Sequence, residues 1–177
     1  MSDQCETGGD NASRPTPGGP AHARTLAMLV KGKNIEETTL LATDYLNHFN
    51  DIIMFLEMIP GIPEMLDDAK AWQPKSYIEH FQDSVFADKE LAIFAYENAP
   101  PRYRGPFDSA VMTMNFLVAE GIGKIEAAIA TGNDGLIADT VASVAGNLRK
   151  FVDVASAIIH GDERAMDQAE IDAILNG

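Results

Sequence analysis

The chain has 177 residues, a length typical of about one domain, and at that size it can bury a self-sufficient hydrophobic core. Its 27 acidic and 13 basic residues give a formal net charge of −14, which repels nucleic-acid phosphates and anionic lipid surfaces. No apolar run approaches the ~18 residues of a membrane-spanning helix. The single cysteine, Cys5, allows neither a disulfide framework nor a cysteine zinc site. We therefore expect a cytoplasmic protein without nucleic-acid or membrane partners.

Residues 1–24 are rich in Gly, Pro, Ser, Asn and Thr and contain almost no large apolar side chains. Such a segment cannot bury enough surface to offset the entropy lost on ordering, so we expect a disordered leader. It also has no basic region followed by an apolar stretch, which argues against a secretory signal. We assign residues 25–160 to a helical bundle and residues 161–177 to a hinge and a C-terminal helix.

The first long helix is predicted to begin at Asn34, which with Glu37 resembles a capping pair. It should end near Met58, because Pro60 and Pro63 follow. Apolar residues recur along it at spacings of three and four: Leu40, Leu41, Tyr45, Phe49, Ile52, Ile53 and Leu56.

Residues 63–100 predict several short helices, and the proline-rich run 100–106 predicts a break. Two long helices should follow over residues 107–130 and 134–160, joined by a turn in which Gly132 is a natural left-handed residue. So short a turn makes the two helices antiparallel.

No segment alternates apolar and polar residues as a strand would. We therefore predict an all-α fold, an antiparallel bundle of three long helices with short helices on its fourth side. The apolar stripes of the long helices would equally suit a homodimer.

The last 12 residues, MDQAEIDAILNG, predict a short amphipathic helix behind a polar hinge. Asp167 and Glu170 form a variant of the capping box. Ile171, Ile174 and Leu175 then fall on one face of the helix. Isolated helices of this length are marginal in water. Three apolar anchors on a tethered short helix are typical of a segment that docks in a groove of a partner protein.

This segment resembles LSQAEIDALLNG, the sequence with which flagellar motor switch proteins bind the phosphorylated response regulator of chemotaxis. Chemotaxis regulator phosphatases contain similar peptides. The resemblance covers about 12 of the 177 residues and none of the bundle. The identical positions are Gln168, Ala169, Glu170, Ile171, Asp172, Ala173, Leu175, Asn176 and Gly177.

The resemblance implies an adaptor or regulator in chemotaxis or flagellar signalling, whose partner is the phosphorylated single-domain response regulator. Ile171, Ile174 and Leu175 would be the apolar anchors, and Glu170 and Asp172 would be contacts at the rim. Gln168 belongs to the same partner-binding set. The alternative is a purely structural or interaction bundle onto which the last helix packs as part of the core.

A second candidate site is the run Asp44, Asn47, His48 and Asp51, whose spacing predicts one shared helix face. Response-regulator phosphatases are similar in placing an acid and an amide about one helical turn apart. There the acid pairs with a lysine of the regulator, and the amide orients the attacking water. Asp44 and Asn47 are therefore candidate catalytic residues of an aspartyl-phosphate phosphatase, although their spacing departs from the family patterns. The alternative is a solvated helix face, so the enzyme assignment stays open.

The four histidines lie in different segments, and no pair has the spacing of a metal site or a di-iron motif. We therefore predict no metal and no cofactor. Mid-helix Asn115 and Asn147 predict buried amides that fix the register of the two long helices.

Overall fold

The computed structural model describes the backbone of residues 20–166 and the side chains of residues 22–165. Within that range the chain is helical and contains no strand, which confirms the all-α fold class. The helices are α1 (Pro20–Val30), α2 (Asn47–Met58), α3 (Met65–Ala71), α4 (Tyr77–Asp83), α5 (Lys89–Glu97), α6 (Pro101–Ala130) and α7 (Asp134–Ile159). Short 3₁₀ turns, Thr43–Leu46 and Arg164–Met166, precede α2 and follow α7.

The two longest helices, α6 and α7, form the antiparallel hairpin that the sequence predicts. Gly132 has a φ of +67°, so the expected left-handed residue of the turn is confirmed. The side chain of Asn133 caps α7 by accepting the backbone N–H of Leu136 at 3.1 Å. A Cβ at Gly121 would clash with Val144, which shows how closely the two helices approach. The hairpin forms one wall of the bundle, and α2 packs against it mainly through α7.

The predicted break over residues 100–106 is wrong, because α6 begins at Pro101 and continues through Pro106. Pro101 occupies the first helical position, where its missing N–H would have no partner within the helix in any case. Pro106 removes one further backbone donor from the helix. The helix continues past it because Tyr103, Phe107 and Ala110 on either side are buried in the core.

The predicted helix start at Asn34 is also wrong. Residues 31–42 form a loop closed on itself, in which Glu36 N–H donates to the carbonyl of Leu41 at 2.8 Å. Leu40 has a φ of +61°, which is incompatible with an α-helix. The apolar side chains that suggested the helix are buried nonetheless, because the loop inserts Leu40 and Leu41 into the core. Periodicity therefore identified buried residues correctly while misassigning their backbone.

The short helices α3, α4 and α5 confirm the prediction for residues 63–100. Ser76 and Glu79 form a complete capping box at the start of α4. The N-terminal helix begins at Pro20, five residues before the boundary expected for the bundle. The core includes these fully buried large side chains: Tyr45, Phe49, Phe81, Phe107, Phe151, Leu41, Ile52, Ile53, Leu56, Ile59, Met114 and Ile125.

Candidate functional site

A polar cleft of about 300 Å³ separates the start of α2 from the last turns of α7. We call it the α2–α7 cleft. Its lining residues are Thr43, Asp44, Leu46, Asn47, Asn50, Val152, Asp153 and Ser156. Two carboxylates, two amides and two hydroxyls thus surround one small space. Such a set can accept hydrogen bonds from a cationic side chain and can also orient a water molecule.

Asp44 and Asn47 both line this cleft, so the structure brings the two candidate catalytic residues together. Asp44 lies in the 3₁₀ turn before α2 and is partly buried, whereas Asn47 is the first residue of α2 and is exposed. Their side chains make no hydrogen bond or ion pair to the described residues, and both residues line the cleft. Asp153, which the sequence did not single out, adds a second carboxylate from α7.

His48 and Asp51 do not share this cleft, contrary to the face predicted from their spacing. Asn47 and His48 are consecutive residues of α2 and lie about 100° apart around the helix, so only one of the two side chains faces the cleft. His48 is 8 % exposed and packs in the core, while Asp51 is exposed and does not line the cleft.

The imidazole of His48 belongs to an aromatic cluster, the His48 cluster, formed by His48, Trp72, His80 and Tyr45. The ring of His48 stacks on Trp72 with centroids 4.5 Å apart, and His80 lies 6.0 Å away. The indole N–H of Trp72 donates to the carbonyl of His48 at 3.2 Å. The Nε2 atom of His48 accepts the backbone N–H of Lys75 at 3.2 Å, so the neutral imidazole is part of the fold.

Burial and the neighbouring His80 and Lys75 lower the pKa of His48 to about 4. Burial also lowers the pKa of His80, against the opposing effect of a hydrogen bond with the backbone of Asp44. Both imidazoles are therefore neutral near pH 7. Sequence reasoning missed this cluster, because it placed the histidines in unrelated segments.

The end of α7 is anchored where the chain leaves the bundle. Thr39 Oγ1 donates to the carbonyl of Ile159 at 2.6 Å, and both residues are buried. His160 Nδ1 lies 3.7 Å from a carboxylate oxygen of Glu36. Gly161 has a φ of +80° and ends the helix, after which Asp162 accepts the backbone N–H of Arg164. These contacts hold the last turn of α7 in place, at the point where the chain leaves the helix.

The predicted partner-binding residues lie beyond the described range. They are Gln168, Glu170, Ile171, Asp172, Ile174 and Leu175. Their helix and its anchor face remain predictions from the sequence.

Of the two mid-helix amides, Asn147 is exposed on α7, so the prediction that it is buried is wrong. Asn115 on α6 has a buried Oδ1 atom without a hydrogen-bond partner. Among residues 22–165, no three His, Asp or Glu side chains converge as metal ligands would. None of the described helices is both long and apolar enough to cross a membrane.

The chain matches no model of a protein family, no curated protein and no solved structure.

Proposed function

We propose that the protein is a cytoplasmic regulator of chemotaxis or flagellar signalling that binds a phosphorylated single-domain response regulator through residues 166–177. The observation that carries this proposal is the match of MDQAEIDAILNG to the regulator-binding segment of flagellar motor switch proteins. Three apolar residues on one face, flanked by acidic residues, are the chemistry of a helix that docks in a groove.

The described end of the bundle supports such a segment in two ways. The hydrogen bond from Thr39 to Ile159 holds the last turn of α7 against the loop 31–42. Gly161 then ends α7 with a φ of +80°, and three polar residues follow before Ala165, which packs against the core. A binding segment tethered in this way stays close to one face of the bundle.

A second observation favours dephosphorylation of the same regulator as a further candidate activity. The α2–α7 cleft, which contains Asp44 and Asn47, takes its α7 wall from Val152 to Ser156. Ser156 lies five residues before Gly161, or about 7.5 Å of helix rise. A regulator bound to the C-terminal segment would therefore be held near the cleft. There Asp44 would pair with a lysine of the regulator, and Asn47 would orient water in line with the aspartyl phosphate.

Binding is tested with the full chain and a regulator activated by a phosphate analogue. The wild type should bind with a Kd on the order of micromolar, because a short segment that orders on binding loses part of its interaction energy to that ordering. Ile171→Asp should abolish binding, since it places a charge in an apolar contact. Leu136→Asp, which changes an exposed apolar residue elsewhere on the protein, is the matched control and should bind normally.

Thermal unfolding distinguishes the docking role of the C-terminal helix from the alternative, in which the helix packs as part of the core. If the helix is core, deleting residues 167–177 lowers Tm by several degrees. If it is a docking segment, the deletion removes regulator binding and leaves Tm within about 1 °C.

The phosphatase candidate is tested by the decay of the regulator's aspartyl phosphate. Wild-type protein should accelerate the decay, and Asn47→Ala should remove most of that acceleration while regulator binding persists. Asn147→Ala, at an exposed amide of α7, is the matched control. A decay rate unaffected by wild-type protein would remove the catalytic role and leave the binding role intact.

A further inference from the structure

The side of α6 that lies across the helix from the buried Met114 is exposed and carries no charged residue. At about 100° per residue, six residues fall within about 40° of one line along this side. They are Gly105, Ser109, Met112, Phe116, Ala119 and Gly123, and we call them the outer face of α6. Met112 is 69 % exposed and Phe116 is 63 % exposed. A Cβ at Gly105 or Gly123 would meet no described atom within 4 Å, so the face is open at both ends.

The outer face differs from the solvent side of an ordinary surface helix, which is polar. On α7, for example, Asp139, Lys150 and Asp153 are exposed. The polar residue of the outer face is Ser109, whose hydroxyl already donates to the carbonyl of Gly105 at 3.0 Å. The six residues are spaced alternately by four and three positions, which is the pattern of a helix that packs along another helix. The outer face therefore has the character of a helix–helix contact surface.

The order of large and small residues on this face suits a second copy of the same helix. Two copies related by a two-fold axis run antiparallel and must be complementary to themselves. When Phe116 faces Gly105 of the second copy, Met112 faces its Ser109, and the same contacts recur on the other side of the axis. Each large side chain then meets a small residue, as interdigitating helices require. The open space at Gly105 can receive the phenyl ring.

Charge favours the same register. It places Arg102 opposite Glu120 of the second copy, on one edge of the outer face, and the symmetry forms this pair twice. Both residues are exposed. Arg102 makes no ion pair with the described residues, and its guanidinium lies 4.5 Å from the ring centroid of Tyr103. Glu120 lies 3.8 Å from Lys124 of its own helix, with half of its side chain exposed. Arg102 can therefore gain an ionic partner from a second copy.

The two neighbouring registers are less favourable. The register that pairs Met112 with Gly123 brings the carboxylates of Asp108 and Glu126 opposite each other, which costs free energy. The intermediate register places Met112 directly against Phe116, so the large side chains meet and the small ones face a gap. Shape and charge thus select one arrangement.

We propose that α6 forms an antiparallel, two-fold contact with a second copy of this chain, in which Phe116 packs over Gly105 and Arg102 pairs with Glu120. The contact does not depend on the proposed role in chemotaxis. A single helix pair gives a small interface, so the dimer is weak, with a Kd on the order of 10 μM. Physiological salt screens the repulsion between two chains of net charge −14.

Sedimentation equilibrium of the full chain in physiological salt tests the contact. The average mass should rise from monomer to dimer as the concentration passes from tenfold below to tenfold above that Kd. Met112→Glu and Phe116→Glu should each abolish the rise, because they place a charge in the apolar contact. Met54→Glu changes a methionine of α2 that is 50 % exposed, and this matched control should dimerise normally.

Three results would overturn the proposal. The first is a full chain that stays monomeric over the whole range, and the second is a dimer that persists in Met112→Glu and Phe116→Glu. The third is a dimer that disappears when residues 167–177 are deleted, because the C-terminal segment and not α6 would then join the copies.

A charge exchange tests the register itself. Arg102→Glu and Glu120→Arg, each alone, bring like charges together at both symmetric positions and should weaken dimerisation about tenfold. In a mixed dimer of the two variants both positions join opposite charges again. An equimolar mixture should therefore associate about as tightly as the wild type. A mixture that associates no better than either variant alone would contradict the antiparallel pairing of Arg102 with Glu120.

Discussion

Asn47 and His48 are neighbours in the chain, yet they belong to regions with opposite properties. Asn47 opens onto the α2–α7 cleft, where the side chains of Asp44 and Asn47 make no hydrogen bond to the described residues. The side chain of His48 is part of the His48 cluster, where its ring, its Nε2 atom and its backbone carbonyl all have partners. Polar groups with free hydrogen-bonding capacity can act on a partner, whereas fully paired groups stabilise the fold. Substitutions in the two regions should therefore affect different measurements.

The largest effect is expected for Trp72→Ala in the His48 cluster. The change removes the stacking on His48 and the hydrogen bond to its carbonyl, and should lower the free energy of unfolding by about 3 kcal/mol. Tm should fall by roughly 6–12 °C. Trp72→Phe keeps an aromatic ring and should lose less than half of that stability in denaturant unfolding. If Trp72→Ala were neutral, the cluster would not stabilise the fold.

The His48 cluster should also make the protein sensitive to acid. The pKa of His48 is lowered to about 4 in the folded state, against about 6.5 for an unperturbed histidine. The unfolded chain therefore binds the proton first, and this stabilisation is present above pH 6.5 and lost as pH falls toward 4. The loss should reach about 2 kcal/mol between pH 7 and pH 5.

The variant His48→Gln isolates this contribution, because its amide can still accept the N–H of Lys75 but does not titrate. The difference in unfolding free energy between wild type and variant should shrink on acidification from pH 7 to pH 5. A constant difference over that range would show that His48 titrates alike in the folded and unfolded chains.

The smallest effects on stability are expected in the α2–α7 cleft. Asp44→Ala and Asn47→Ala should each change the free energy of unfolding by less than about 0.5 kcal/mol, because their side chains have no internal partners to lose. Denaturant unfolding at pH 7 provides the measurement. If either variant lost more than about 2 kcal/mol of unfolding free energy, the residue would stabilise the fold as His48 does, and the proposed difference between the two regions would be wrong.

The sequence predicted the elements whose determinants are local. Gly132 and the capping side chain of Asn133 lie within the turn that they define, so the α6–α7 hairpin was correctly placed. The loop 31–42 was missed because its contacts are distant in sequence: Thr39 bonds to Ile159, 120 residues away. The break predicted at Pro106 was wrong for the same reason. The effect of this proline on the helix is outweighed by core contacts that no local pattern reveals.

The candidate sites divide in the same way. Asp44 and Asn47 were paired through their short spacing, and the structure places both in one cleft. Their partner in that cleft, Asp153, comes from α7, so only the packing of α2 on α7 could show it. The ring contacts of His48 with Trp72 and His80 depend on where α3 and α4 pack relative to α2, which no local pattern shows.

The central claim, that residues 166–177 bind a phosphorylated response regulator, is tested most directly by calorimetric titration of one purified regulator in its activated and inactive forms. The account predicts saturable binding to the full chain that tightens at least tenfold on activation and disappears when residues 167–177 are deleted. A truncated chain that binds the activated regulator as well as the full chain would contradict it, as would a full chain that does not bind.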